Sequence, residues 1–428
     1  MFYIIERLTQ LSELELDDCF VEFIPFNYNT HPEISEISLV YVRPLFGTKG
    51  YIISIEHNEA LSIDRKDVEW WLLNNTKRLF VADKKQTMYY FPHPQKLFDI
   101  NFITPVKKEQ TNCTTFYYRK LASHYNVNAL IPISKHYEEC EKMFETVQDK
   151  LRTFVPNPQY DFNNDRTSNV FYQLEKNGIK LSKDKFVEYY AERIPIPEYN
   201  ILRGFIYTHY NLYTTTSRPS NAFNGINFAA LNKENGERDS FIPQNDKFIE
   251  IDFQGYHPRI IGELVKFPFP KDRNTYEYLG ELLGVSQQDA KELTFKQLYG
   301  GIWPEYRNKP FFREVLNYVE DLWDTFQYGG YVSTENRIFY KSQMEDMNPQ
   351  KLFNYVIQSY ETSFNVKILE EILNKLRRKK TKIVLYTYDA FLFDYSKEDK
   401  DIINEVITNI PYPVSIKHGT SYHGLEKL

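Results

Sequence analysis

Two acidic residues stand at the tips of apolar strands. Asp252 closes the run Phe248–Ile251, and Asp389 falls between Ile383–Tyr386 and Phe391–Phe393, two runs that read as a hairpin. A carboxylate at a strand tip is held by a rigid element. Two of them on adjacent strands can hold a pair of Mg2+ ions ~3.5–4 Å apart, the arrangement that serves in-line phosphoryl transfer. One ion would activate the attacking oxygen and the other would steady a leaving pyrophosphate. Taken singly, a strand-end acid is most often a turn or surface residue. Glu250 points away from the face of Ile251, and Asp394 lies beyond the hairpin, so neither needs to be a ligand.

The segment SQQDAKELTFKQLYGG adds a second set of chemical groups. Ser286 can cap a helix and Gly300–Gly301 can end it. Between them Gln287, Lys291, Phe295 and Tyr299 recur every four residues and share one slowly drifting face. That face offers a cation for phosphate and two aromatics for a flat base or sugar. The alternative is a plain amphipathic helix, with Phe295 and Tyr299 in the core and Lys291 snorkelling.

These groups need a scaffold, and the chain supplies one in two parts. Residues 1–150 read as a small α/β unit. CFVEFIPF, EISEISLVYVRPL and GYIISIEH have strand character, DRKDVEWWLLNN is a helix capped by Asp64, and RLFVAD is a further strand. HYEECEKMFETVQDKLRTF reads as one helix. The Pro- and Asn-rich stretch Val155–Asp165 marks a boundary. Beyond it, residues 166–200 are helical and Thr214–Asn227 is a loop. The strand FIEID and a helical block over residues 256–378 precede the hairpin KIVLYTYDAFLFDY.

Composition narrows the classes. With 42% apolar and 26% charged residues, the 428-residue chain is long enough for two or three domains with real cores. Mean hydropathy is −0.54, and no apolar run is long enough for a membrane span. The N-terminus is interrupted by charges and does not read as a signal peptide. Cys19, Cys113 and Cys140 have no ligand-like spacing, so the simplest compartment is a reducing cytoplasm. The nine histidines include no metal-spaced pair, and neither a G-x4-G-K-[ST] loop nor a Ser-His-Asp set is present.

A net charge of −6 argues against a nucleic-acid partner only if it is uniform. Residues 1–150 carry 17 basic and 21 acidic side chains (−4), which leaves 35 and 37 (−2) of the 52 and 58 for the rest. The second part is therefore nearly neutral. Aromatics reach 16%, a figure that fits stacking platforms for bases or an AT-rich coding sequence.

Order and spacing join these pieces. Acid-tipped strand, Lys-Phe-Tyr-Gly helix and acid-tipped hairpin together resemble motifs A, B and C of family A DNA polymerases, the bacterial polymerase I type. Motif A, D-Y-S-Q-I-E-L-R, stands here as DFQGYHPR (Asp252–Arg259). Motif B, R-x3-K-x3-F/Y-x3-Y-G, is Gln287, Lys291, Phe295, Tyr299 and Gly300. Motif C, H-D-E, is Tyr388, Asp389 and Ala390. TTTSRPSNAFNGINFAAL, GYVSTENR, NYVIQSYE and FNNDRTSNVFYQLEKNGI are similar, in the same order, to further segments of that family. The likeness spans about residues 160–428.

The resemblance implies an α/β (α+β) right-hand fold of palm, fingers and thumb behind an N-terminal RNase H-like, exonuclease-type domain. The domain would cover 1–150 and the polymerase 151–428, with the thumb at about 151–213, palm and fingers in 214–428, and the fingers at about 256–345. It further implies a DNA-directed DNA polymerase that adds dNTPs to a primer 3′-OH, with primer-template DNA and dNTPs as partners and no membrane. Asp252 and Asp389, helped by the backbone carbonyl of Phe253, would bind two Mg2+ ions, with Mn2+ as a substitute. Lys291 would contact the triphosphate, and Phe295 and Tyr299 would wall the nucleotide. Phenylalanine at 295 would discriminate against dideoxynucleotides. Arg218, Asn224, Asn227, Asn354 and Gln358 would touch the primer-template, in part through minor-groove acceptors common to all base pairs.

Departures from the pattern carry their own expectations. His257 replaces the motif A glutamate that excludes ribonucleotides, and Gln287 replaces the motif B arginine, so another cation must meet the triphosphate. Motif C keeps its aspartate and loses the following glutamate. A same-fold polymerase that accepts NTPs or an RNA template, and a non-catalytic DNA-binding replication protein, are the rival readings. Abbreviated fingers and thumb leave room for a separate processivity or replisome protein. In the N-terminal unit, Glu22 has no acidic partner two residues away, and Lys84 and Met88 stand where an exonuclease needs Asn and Asp. The expectation there is a structural domain without proofreading. A short chain of this kind points to a virus or mobile element acting in a host cytoplasm. RRKKTK (Arg377–Lys382) fits either a solvated helix end or a DNA-backbone contact.

Overall fold

Alternating β-branched and aromatic residues build the first sheet. The computed structural model describes residues 3–14, 16–26, 30–103, 131–152, 158–190, 201–221 and 226–428; Cys113 and Asn224, both named above, lie outside them. Two compact units result. One comprises Met1–Lys176 with Ile196–Arg203 and Ala222–Gly225, and the other comprises Asn177–Pro195, Gly204–Asn221 and Ile226–Leu428.

The first unit carries β1 (Tyr3–Ile5), β2 (Asp18–Pro25), β3 (Ile37–Pro44), β4 (Tyr51–Ser54), β5 (Arg78–Val81) and β6 (Leu97–Asp99) in the spatial order β1-β4-β3-β2-β5-β6. Strands β2, β3 and β4 form an antiparallel meander, and β5 and β6 continue the sheet parallel to β2. Both faces are covered. Val21 and Val42 pack with Trp71 and Leu72 of α1 (Arg65–Asn75), and Phe20 and Tyr41 pack with Phe144 and Val147 of α3 (Ile133–Arg152). Double coverage explains why CFVEFIPF runs apolar rather than alternating. Asp64 caps α1 as expected, accepting from the Lys66 N–H at 2.7 Å.

Between these helices in sequence, α2 (Lys84–Thr87) follows β5; α4 (Pro158–Glu175) follows α3. Lys84 pairs with Asp165 at 2.8 Å, and Lys85 with Glu175 at 2.6 Å in a fully buried contact. Those two acids tie α4 to the first unit, so the break between units falls after Lys176, downstream of the Val155–Asp165 stretch. Glu22 is buried in β2, and desolvation, with the Asp83 charge adding to it, holds its carboxyl well above the usual range.

In the second unit β7 (Lys247–Phe253), β8 (Lys382–Tyr386), β9 (Ala390–Tyr395), β10 (Val414–Gly419) and β11 (Glu426–Lys427) form an antiparallel sheet, ordered β8-β9-β7-β10-β11. The helical block comprises α5 (Tyr256–Leu264), α6 (Thr275–Leu283), α7 (Gln287–Gly300), α8 (Pro310–Gly329) and α9 (Pro349–Lys375), followed later by α10 (Lys400–Asn409). Ile261, Leu279, Leu298, Phe312 and Phe353 pack in one core that joins α5 to α9. Ser286 caps α7, its hydroxyl accepting from the Asp289 N–H. Arg377–Lys382 runs from beyond α9 into the first residue of β8, and within it Lys380 pairs with Glu398. Among the described residues no helix is long and apolar enough to cross a membrane.

Candidate active site

Strand β7 is central in its sheet, which makes Asp252 the end of a doubly paired element. Asp252 stands opposite Ala390 on β9 and Ser415 on β10. The next residue fixes the second acid: the Phe253 N–H donates to the Asp389 carbonyl at 2.9 Å. Phe253 itself stacks on Tyr256 and meets Phe391 edge-on. At the hairpin turn Tyr388 takes a left-handed backbone, φ +66°, uncommon for a bulky residue. Buried Asn365 of α9 steadies that turn, donating to the Tyr388 carbonyl at 2.8 Å and accepting from the Tyr256 hydroxyl at 2.7 Å. Gly255, at φ +60°, turns the chain into α5; a Cβ there would lie 2.7 Å from Thr275, so the short link from Asp252 to His257 requires glycine.

Asp252 and Asp389 face one cavity of about 550 Å3, and Phe253, His257, Lys291, Phe295 and Tyr299 also line it. Phe295 and Tyr299 stack with ring centroids 5.7 Å apart. Arg218 and Gln358 complete the set of sequence-named residues on its wall. Gln287, Asn227 and Asn354 are not part of that wall. Gln287 is exposed at the first turn of α7, Asn227 is exposed ahead of the short turn Phe228–Ala230, and Asn354 is half-buried on α9. Four-residue steps drift about 40° each on a helix of 3.6 residues per turn, and three steps carry Gln287 about 120° from Tyr299.

Four cavity or near-cavity residues had no place in the sequence reading. Glu361 of α9, fully buried, holds Arg218 (Nε to Oε2 3.0 Å) and His257 (Nε2 to Oε1 3.2 Å). His257 is pinned from its other side by a hydrogen bond between Nδ1 and the Tyr299 hydroxyl. The Arg218 guanidinium also lies 3.8 Å over the Tyr388 ring. Burial works against the Arg218 charge, but the Glu361 carboxylate and other groups outweigh it and raise its pKa. Lys233 and Tyr276 line the cavity as well. The fourth, Lys417, sits opposite Glu250 on β10 and donates to Glu250 at 2.8 Å and Asp252 at 2.9 Å. Burial opposes its charge too, and those two hydrogen bonds raise its pKa regardless. A Glu three residues after Gln358 on the same helical face was the available signal for Glu361; no local signal pointed to Lys417.

Electrostatics at the acids are strained. Desolvation in the cleft, followed by the Asp252 charge, lifts the Asp389 carboxyl above its usual pKa. Two carboxylates that repel each other fit a hard cation with oxygen ligands, Mg2+ or Mn2+. An ammonium already rests on Asp252 Oδ2, which shows that this carboxylate attracts positive charge. Among the described residues no group of three or more His, Cys, Asp or Glu forms a ready metal cage. A cation here would rest on the two aspartates, with any backbone oxygen nearby and its other ligands from outside the chain.

The fold around this cavity is mixed α/β and similar to that of a polymerase domain. In particular, the chain is similar to the POL domain of Pol1 from M. smegmatis, solved in complex with DNA primer-template and dNTP. The match covers 98% of each chain with a TM-score of 0.67 and 13% identity. No protein-family model and no curated protein sequence matches the chain.

Proposed function

We propose that the chain is a template-directed DNA polymerase that joins a dNTP to a primer 3′-OH and releases pyrophosphate. The observation that carries this reading is the convergence of Asp252, on β7, and Asp389, in the turn leading into the neighbouring β9, on a cavity walled by Lys291, Phe295 and Tyr299. Asp252 and Asp389, with the Phe253 carbonyl, would hold Mg2+, which would supply charge neutralisation at the reacting phosphate and a more acidic primer hydroxyl.

The remaining work is positioning and charge. Lys291 and Lys233 are exposed on the cavity wall and make no ion pair among the described residues, so both are open to a triphosphate. Lys233 is the cation we assign in place of the motif B arginine. The stacked Phe295–Tyr299 pair gives a flat wall for the nucleotide. His257, held by Glu361 and Tyr299, presents a fixed imidazole where the family presents a glutamate. Arg218, Gln358, Asn227 and Asn354 are the proposed primer-template contacts.

We assign residues 151–213 to the thumb and 256–345 to the fingers, and read residues 1–150 as an exonuclease-type domain without activity. Its β1-β4-β3-β2-β5-β6 order supports the second assignment, as do Lys84, ion-paired with Asp165, and Met88 where the resemblance calls for Asn and Asp. The test is extension of a primed DNA template with dNTPs and Mg2+, run beside NTPs and an RNA template, for the parent and His257→Ala. Extension with dNTPs supports the reading. Failure with every nucleotide, template and metal would overturn it in favour of a non-catalytic DNA-binding protein.

A further inference from the structure

One carboxylate oxygen of Asp252, Oδ2, is already engaged. Lys417 and Glu250 are direct cross-strand partners on β10 and β7, and Asp252, two residues along β7, shares their face of the sheet. The Lys417 ammonium reaches both carboxylates, at 2.8 and 2.9 Å, and is only 28% exposed. Two carboxylates and one ammonium leave this face with a net charge of −1 instead of −2. Arg218, a further cation on the cavity wall beside Lys233 and Lys291, is taken up by Glu361.

We propose that Lys417 is a resident counter-cation: it orients Asp252 in the free protein and weakens metal binding there. The metal pair then assembles only when the nucleotide triphosphate brings its own negative charge into the cavity. This rests on the reading of Asp252 and Asp389 as metal ligands. A dication binding Asp252 must settle within a few ångströms of a fixed positive charge. That repulsion, at the high effective dielectric of an open cleft, weakens affinity about tenfold. Lys417 is thus a positioning residue, since it acts on the metal through Asp252.

The test is Mn2+ binding to the full chain without nucleotide, followed by the EPR signal of free Mn2+. Lys417→Met should bind Mn2+ about tenfold more tightly than the parent. Glu250→Gln, which leaves the ammonium wholly to Asp252, should bind no more tightly than the parent. The gain should vanish in Lys417→Met/Asp252→Asn. A non-hydrolysable dATP analogue should tighten Mn2+ binding more in the parent than in Lys417→Met. Melting temperature gives a second readout: the Lys417→Met chain should melt lower than the parent without metal and recover with Mn2+, because two uncompensated carboxylates then face each other. If Lys417→Met does not fold, Lys417→Gln carries the same comparison. Equal or weaker Mn2+ binding in the Lys417 variants, or a gain that survives Asp252→Asn, would overturn the proposal. A chain that binds Mn2+ in this pattern but extends no primer would instead sink the polymerase reading alone.

Discussion

Replacing Glu361 with glutamine should destabilise the second unit by about 2–3 kcal/mol, the range for hydrogen bonds to charged groups, and the loss should be shared with Arg218. The carboxylate is fully buried, 3.0 Å from Arg218 Nε and 3.3 Å from the Nη2 that donates to it, with His257 Nε2 at 3.2 Å. At an effective dielectric near 20, one unit pair at that separation gains about 5 kcal/mol before desolvation is subtracted. Desolvation of Glu361 takes back much of this, and Arg218, 28% exposed on the cavity side, is partly screened. Arg218→Met should cost about 3–5 kcal/mol, because it strands the buried carboxylate. In the double variant the costs should not add, leaving a coupling of about 2 kcal/mol. The assay is urea unfolding of a Trp70→Phe/Trp71→Phe background, in which Trp303 and Trp323, the rest of the four tryptophans, report the second unit. A double variant whose cost equals the sum of the single costs would refute the reasoning.

The other perturbations probe separate parts of the account. Lys233→Ala and Lys291→Ala should each raise the nucleotide KM about tenfold, the worth of one charge-assisted contact, while shifting stability by less than about 0.5 kcal/mol because both side chains are exposed. Steady-state kinetics checks this, and an unchanged KM in Lys233→Ala would remove it from the triphosphate site. In the first unit, burial and then the His57 charge push the His136 pKa down to about 3. The unfolded chain then takes up the proton first, so stability rises with pH between about 3 and 6.5. Lowering the pH from 7 to 5 should cost about 2 kcal/mol through this group. Unfolding curves of His136→Gln at the two pH values should show that much less loss than the parent.

Short-range patterns carried much of the site. Asp252 lies one residue from the end of β7, Asp389 lies in the turn between β8 and β9, and Ser286 caps α7, because strand runs, a turn and an N-cap are written in neighbouring residues. The spacing of Phe295 and Tyr299 likewise gave a stacked pair. Long-range charge was not legible. Lys417 lies 165 residues from Asp252, and Glu361 lies 143 from Arg218; only the strand register and the helix packing bring them together. The four-residue spacing suggested one face for all of α7, and its drift left Gln287 off the cavity wall. In the first unit, the basic pair Lys84–Lys85 found its acids on α4, which moved the break between units past the Pro- and Asn-rich stretch. That stretch looked like a linker by composition, but ion pairs further along decided where contacts thin out.

In the proposed polymerase, Asp252 and Asp389 together carry the chemistry. Single-turnover extension of a labelled primer by Asp252→Asn and Asp389→Asn, beside primer-template binding by the same proteins, tests this assignment most directly. DNA affinity should stay within about threefold of the parent, and extension should slow by at least about 10³-fold in each variant, roughly 4 kcal/mol of transition-state stabilisation. Extension near the parent rate in either variant would contradict it.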